Sequence, residues 1–325
     1  MGILIVVSYS GSIDSFEILP KGFNIQAEKV SDNALSFQIS NVEQYITVII
    51  NGNYKGDVLH LFANSIDKNI PNVAQKEGYY FDKKQGIHYF GPGYYKLSEM
   101  FSNGTLSVKK KVIYLAGGAV LDGQLGFNQS SSAEIRGRGM IMNKEEKGMD
   151  NRVVLSVSAS TGGTIEGIII HGHRAPGWVC TNDKSSGLSY RNVKIISTRY
   201  ASTDGIDINQ CTDFTFENMF IRSCDDAVAI KGLDAETSAP VDCRPNKNLL
   251  FEKMQLWNDC NNAFGMGAET RASLYENISL RNSDILFSYD DPNYHETLDE
   301  RSAMNICALH GTYFRNIVFE NIRVN

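Results

Sequence analysis

The chain has 325 residues, 42% apolar and only 21% charged, enough to bury one large core or two ordinary ones. A net charge of -6 offers no electrostatic footprint for nucleic acid or an anionic membrane, so neither is expected as a partner. Twenty-eight glycines against 7 prolines suit many short strands joined by tight turns.

The opening run Met1-Gly2-Ile3-Leu4-Ile5-Val6-Val7 has no basic leader and is too short for a signal-peptide core or a membrane span. The chain therefore reads either as intracellular or as starting inside a longer precursor. Residues 3–7, 35–39, 45–50 and 58–62 are β-branched or aromatic runs, split by Asp32-Asn33 and Asn51-Gly52-Asn53. They predict a β-sandwich-like module over 1–67. Four strands are too few to close a sandwich, which points to missing N-terminal sequence. The polar stretch 68–77 reads as a linker.

From residue 78 aromatic strands surround Gly91-Pro92-Gly93, followed by Val112-Ile113-Tyr114-Leu115 and Ala133-Glu134-Ile135-Arg136. A repeat then emerges: a small or polar residue, then apolar, any, apolar. It starts at Gly167, Asn192, Asn218, Lys253, Asn277 and Asn316, with spacings of 25, 26, 35, 24 and 39. A base period near 25 with two insertions is the sign of a solenoid with loops at fixed corners. Alternation within each unit has period two, against a helical solenoid, and the leucine frame of leucine-rich repeats is absent. The fold expected over 78–325 is a right-handed parallel β-helix. Its last repeat stops at Asn325 with the stack uncapped, so the natural protein is expected to continue. The asparagines at 192, 218, 277 and 316 are expected to form one stacked amide ladder.

Cys180, Cys211, Cys224, Cys243, Cys260 and Cys307 contain no CxxC pair, which argues against structural zinc. Disulfides and buried thiols both stay open, and most of the six are read as thiols. His171 and His173 flank Gly172 without an evident third ligand and read as turn residues, so no metal and no cofactor is expected.

Two acidic stretches carry the chemistry: Thr203-Asp204-Gly205-Ile206-Asp207 and Cys224-Asp225-Asp226-Ala227-Val228-Ala229-Ile230. Asp204 stands 21 residues ahead of Asp225 and 22 ahead of Asp226, close to one coil. In a solenoid the three carboxylates then meet. Strand parity turns Ile206, Ile208, Val228 and Ile230 inward, and Asp207, Asn209, Ala229 and Lys231 outward. One coil on, Gly265, Gly267 and Glu269 border the same surface. Aspartates also cap strand ends through local turns, but three at this spacing favour a site.

Ser202-Thr203-Asp204-Gly205-Ile206-Asp207 followed by Asp225-Asp226-Ala227-Val228-Ala229-Ile230 resembles the acidic motif pair of the polygalacturonase-type glycoside hydrolases, family 28, and of their family 49 dextranase and isopullulanase relatives. Ala175-Pro176-Gly177-Trp178 resembles the segment one coil earlier, and the likeness spans about 78–325. The resemblance implies inverting hydrolysis of a glycosidic bond without a cofactor, on a polysaccharide or oligosaccharide, in a secreted or periplasmic enzyme. It makes Asp225 the general acid and gives Asp204 and Asp226 the water.

Two departures place the chain nearer family 49. Where the pectin-degrading branch has a Gly-His-Gly one coil later, the aligned stretch here is Asn261-Asn262-Ala263-Phe264-Gly265-Met266-Gly267, without a histidine, and the best counterpart of that branch's Arg-Ile-Lys is the uncharged Asn305-Ile306-Cys307. A uronate site keeps a cation, so the expected substrate is a neutral glycan. The expected substrate-binding residues are Asp207, Lys231, Asn262, Glu269 and Trp178, the last through its ring face. Tyr294 and His295, in the longer insertion, are candidates for the cleft wall. Three alternatives remain: a pectin hydrolase using Lys231, Arg271 or Arg301 as its cation, a calcium-dependent lyase, and a non-catalytic glycan-binding β-helix. The sequence leaves oligomeric state open.

Overall fold

The computed structural model of the chain describes residues 2–56, 58–109, 111–143, 153–172, 177–197, 202–232, 244–267, 269–289 and 302–325. Cys243, His173, Tyr294, His295 and Arg301, and the Ala175-Pro176 half of the Trp178 segment, lie outside the described residues. Two compact units emerge, Met1–Ile66 with Val324–Asn325, and Asp67–Arg323.

The first unit holds two three-stranded antiparallel sheets. Ile3–Ser8 and Ala27–Ser31 flank Ala34–Ile39 in one, and Phe16–Leu19 and Val58–Ala63 flank Gln44–Ile50 in the other. Val7, Leu35, Phe37 and Ile39 of the first sheet share one core with Ile46, Val48 and Ile50 of the second. This corrects the strand count expected from sequence. Phe16–Leu19 and Ala27–Ser31 supply the two strands it lacked; the first is short and the second carries the charged Glu28 and Lys29, so neither stands out as a hydrophobic run.

The second unit is a right-handed parallel β-helix. One face is an eight-stranded parallel sheet that includes Leu155–Ser158, Cys180–Asp183, Ile206–Asn209, Val228–Lys231, Phe264–Met266 and Met304–Ile306. The other two faces merge into a 17-stranded sheet. Stretch 68–77, expected as a linker, falls within this unit, where Val73 is buried with Ile87, Tyr89 and Tyr114. Among the described residues no helix is long and apolar enough to cross a membrane.

Corners are turned by residues in the left-handed conformation, with φ of +54° at Asn192, +52° at Asn218 and +56° at Asn248 and Lys253. Asparagine tolerates that region because its short amide finds a local partner. Between corners, alternate residues point inward and stack on their equivalents one winding away. Ile141, Ile170, Ile195, Ile221, Leu256 and Ile285 form one such file, in register and fully buried. Tyr190, Phe216 and Phe251 form another, with ring centroids 5.1 and 4.5 Å apart. Each such side chain contributes about 1.5–3 kcal/mol of burial free energy.

The register corrects the repeat read from sequence. Gln255 pairs with Asp284, which puts Asn282 in line with Lys253; Asn277 instead lies beside Asn248, because Leu249 pairs with Ile278. The single amide ladder is therefore two. Asn218 donates to Asn192 at one corner (2.8 Å). At the other, Asn248 donates to Asp213 (2.7 Å), Asn277 to Asn248 (2.9 Å) and Asn316 to Asn277 (3.0 Å). Both corners use a left-handed asparagine followed by alternating apolar residues, so the pattern looks the same at either. Phe216→Ala would remove the middle ring of the aromatic file and is expected to destabilise the β-helix by about 3–5 kcal/mol, measured by urea unfolding.

Candidate active site

The site forms where the chain turns into the eight-stranded face. Cys180, Ile206, Val228, Phe264 and Met304 are in parallel register. Pairing continues backward through the turns, Val179 N–H to Asp204 O (3.2 Å), Gly205 N–H to Asp226 O (2.8 Å) and Ala227 N–H to Asn262 O (2.9 Å). Trp178, Asp204, Asp226, Asn262 and Ser302, each two residues ahead of its strand, thus stack in one column, at the spacing of about 4.8 Å between neighbouring strands. Asp225 and Asn261 occupy the next position back. Of the two spacings in the sequence, the structure selects the longer: Asp204 lies over Asp226, with Asp225 beside it.

Glycine is required at 205, where a Cβ would come within 2.3 Å of Ile221 and 2.6 Å of the Ala227 carbonyl. At 265 a Cβ would stand 3.3 Å from Asp226 Oδ2, so glycine there leaves that oxygen room.

Each carboxylate has a different setting. Asp225 accepts three N–H donors: Asn261 Nδ2 (2.7 Å) and the Asp226 amide (3.0 Å) at Oδ1, and the Ser202 amide (2.9 Å) at Oδ2. Asp226 Oδ1 accepts the side chain (2.9 Å) and main chain (3.2 Å) of Asn262, whose own Oδ1 accepts the Ser302 amide (2.8 Å). Asp204, 2% exposed, takes a hydrogen bond from Lys231 Nζ (2.8 Å). Lys231 also reaches Asp207 (3.1 Å) and Glu269 (3.6 Å), and its Nζ sits 3.9 Å from the centre of the Trp178 ring.

More carboxylates than cations share this space, so the cluster retains protons. Burial pushes Asp204 upward, partly offset by Lys231. Burial and the Asp204 charge raise Asp207 well above the ordinary carboxylate range, and burial with the charges of Asp204 and Asp225 does the same to Asp226. For Lys231, burial pulls downward, but the Asp204, Asp207 and Glu269 charges outweigh it and hold the ammonium firmly protonated.

A cavity of about 140 Å³ opens over the column, lined by Trp178, Ser202, Asp204, Asp225, Asp226, Lys231, Asn261, Asn262, Gly267, Glu269 and Asn305. Of the expected catalytic and substrate-binding residues, Asp204, Asp225, Asp226, Lys231, Asn262, Glu269 and Trp178 are in that lining and Asp207 is not. Asp207 is 2% exposed and reached by Lys231, so it lies behind the wall that a substrate would touch. Outward parity pointed it away from the core, but parity carries no information about what covers an outward side chain. Arg271 is not in the lining, and His171 sits in the strand Ile169–Gly172 rather than in a turn. Sequence reasoning missed Asn261 and Ser202 as site residues. Asn261 stands 36 residues after Asp225, one enlarged coil on, and could have been found by that equivalence; Ser202 acts through its main chain and left no signal.

A parallel β-helix with acids gathered at the turn into one face is the architecture of the β-helical glycoside hydrolases. The model of glycosyl hydrolases family 28 matches residues 83–247, and the chain belongs to that family. Among solved structures it is similar to Dex49A from Penicillium minioluteum, with a TM-score of 0.60 at 12% identity, covering 97% of this chain and 63% of that one. The chain thus spans less than two thirds of that protein. It also matches the family 28 exopolygalacturonase of Yersinia enterocolitica, with a TM-score of 0.46 at 11% identity, covering 99% of this chain and 84% of that one. A search of curated proteins finds no match.

The raised carboxyls set a pH dependence. A group held above its ordinary value of 3.8 contributes stability that is complete below that pH and is lost as pH rises through its folded value. Lys231 acts at the other end, its contribution lasting until the pH passes 10.5. Wild-type stability should therefore decline as pH rises above 3.8. Asp207→Asn, neutral throughout, should flatten that decline and be the more stable protein at pH 8. Each unit of raised pKa corresponds to about 1.4 kcal/mol, readable in urea melts at pH 4 and 8; an unchanged slope would refute the assignment.

Proposed function

We propose that the chain is the catalytic β-helix of an inverting glycoside hydrolase acting on a neutral polysaccharide or oligosaccharide. The observation that carries this is the in-register column of Asp204 and Asp226 with Asp225 beside it, all three lining one cavity. Inversion needs one carboxylic acid to protonate the leaving oxygen while a carboxylate on the other side of the sugar activates water. Following the family pattern, Asp225 gives the proton and Asp204 and Asp226 hold and deprotonate the water. Lys231 opposes the effect of burial on Asp204 and favours its ionised form.

One observation favours the reverse division of labour. Asp225 accepts three N–H donors, a setting that suits a charged carboxylate, whereas Asp226 is pushed toward its protonated form. A substrate with an activated leaving group separates the roles, because it needs little help from an acid. Asp225→Asn should lower turnover of an unactivated glycan by about 10²–10⁴-fold with binding retained, yet keep most activity on an aryl glycoside with a good leaving group. If Asp226→Asn shows that pattern instead, the roles are exchanged. Near-wild-type turnover of the unactivated glycan in both variants would sink the hydrolase reading.

The lining supports a neutral substrate. Lys231 is the one cation among the described lining residues, and three carboxylates already surround it. Asn262 and Asn305, both uncharged, complete that lining, and the stretch 261–267 resembling the pectin branch's Gly-His-Gly has no histidine. Where a calcium-dependent lyase would gather acids about a metal, the Lys231 ammonium stands among them. Because the polymeric substrates of such an enzyme lie outside the cytoplasm, the reading includes a secreted or periplasmic location. New reducing ends should appear from a neutral glycan and not from galacturonan, with the fresh anomer inverted by NMR. Faster release from galacturonan, or unsaturated products, would overturn the substrate assignment.

A further inference from the structure

Directly ahead of the two turns that build the site stand two cysteines, Cys224 before Asp225 and Cys260 before Asn261. Their sulfurs face each other across adjacent windings at 2.8 Å, and Cys260 Sγ also donates to the Cys224 carbonyl (2.6 Å). The pairing of the main chain holds them there. Ser223 pairs with Asn258 on one side of the corner and Val228 with Phe264 on the other, so both chains round the bend together. Neighbouring parallel strands run about 4.8 Å apart, inside the Cα separation of roughly 4.4–6.8 Å that a disulfide spans. Both side chains are buried, at 7% and 4% exposure.

We propose that Cys224 and Cys260 are an oxidative modification site, forming an intramolecular disulfide that fastens the Asp225-Asp226 turn to the Asn261-Asn262 turn. The oxidant is a small-molecule disulfide such as oxidised glutathione. In two exchange steps the cysteine thiols lose two protons and two electrons, an S–S bond forms between them, and two glutathione thiols are released. The crosslink closes a loop across one enlarged winding. It lies one residue from the contact of Asn261 with Asp225 (2.7 Å) and two from that of Asn262 with Asp226 (2.9 Å), and fixes the spacing on which they depend.

Other described cysteines are placed differently. Cys180 lies 3.9 Å from the Tyr190 hydroxyl and Cys211 donates to the Asn209 carbonyl. Burial pushes both thiols up to about 12, which keeps them protonated and inert toward exchange.

The test uses the whole chain, incubated with oxidised glutathione or with dithiothreitol, alkylated and mapped by mass spectrometry. Expected are a loss of two hydrogens in mass, a peptide joining Cys224 to Cys260, and an unfolding midpoint higher by about 5 °C in the oxidised protein. Hydrogen exchange at the amides of Asp226 and Asn262 should slow on oxidation, with windings before Leu155 unchanged. In Cys224→Ser the effect of oxidant on the midpoint should vanish; if that variant fails to fold, the wild-type map decides alone. Full alkylation of Cys224 after oxidation, a crosslink to Cys243 or Cys307 instead, or an unchanged midpoint in the joined protein would overturn the proposal.

Discussion

Everything at the site depends on the parallel register of successive windings. Main-chain pairing does not stop at the strands but runs back through the turns ahead of them, by way of Val179, Gly205 and Ala227. That is why residues from distant parts of the sequence arrive in one column. Register is a matter of backbone hydrogen bonds and buried files of isoleucine and aromatic residues, and neither knows anything of catalysis. The chemistry is carried on a frame that fixes side-chain height to within one strand spacing.

On that frame the electrostatics follow from crowding. Asp204, Asp207 and Glu269 converge on a single ammonium, and Asp225 takes three N–H donors from the turns around it. What is left over is neutralised by protons, chiefly on Asp207 and Asp226. Burial thus holds Asp207 and Asp226 toward their neutral forms within reach of a firmly charged ammonium. Asn262 tethers Asp226 to Ser302 without adding a charge.

Much of this was legible in the sequence, because a solenoid writes its geometry as spacing. The period-two alternation gave the faces, and the interval from Asp204 to Asp225 and Asp226 located the cluster. Illegible was anything that depends on which of two equivalent corners a motif occupies. Asn277 looks like Asn218 in sequence yet belongs to the Asn248 ladder, since a left-handed asparagine is the same solution at each bend. Asp207 shows a second limit: alternation tells whether a side chain leaves the core, not whether a residue of another winding, here Lys231, then reaches it. Ser202 shows a third, because a backbone N–H has no letter of its own.

The column of Trp178, Asp204, Asp226, Asn262 and Ser302 has one member per winding, and no single winding owns a working set of groups. Solenoids hold together through nearest-neighbour contacts and come apart locally. Fraying one rung here would part Asp204 from Asp226 while leaving most of the rod intact. Competence is thus a collective property of the stack, and its weakest joint sets the protein's working life rather than the stability of the whole.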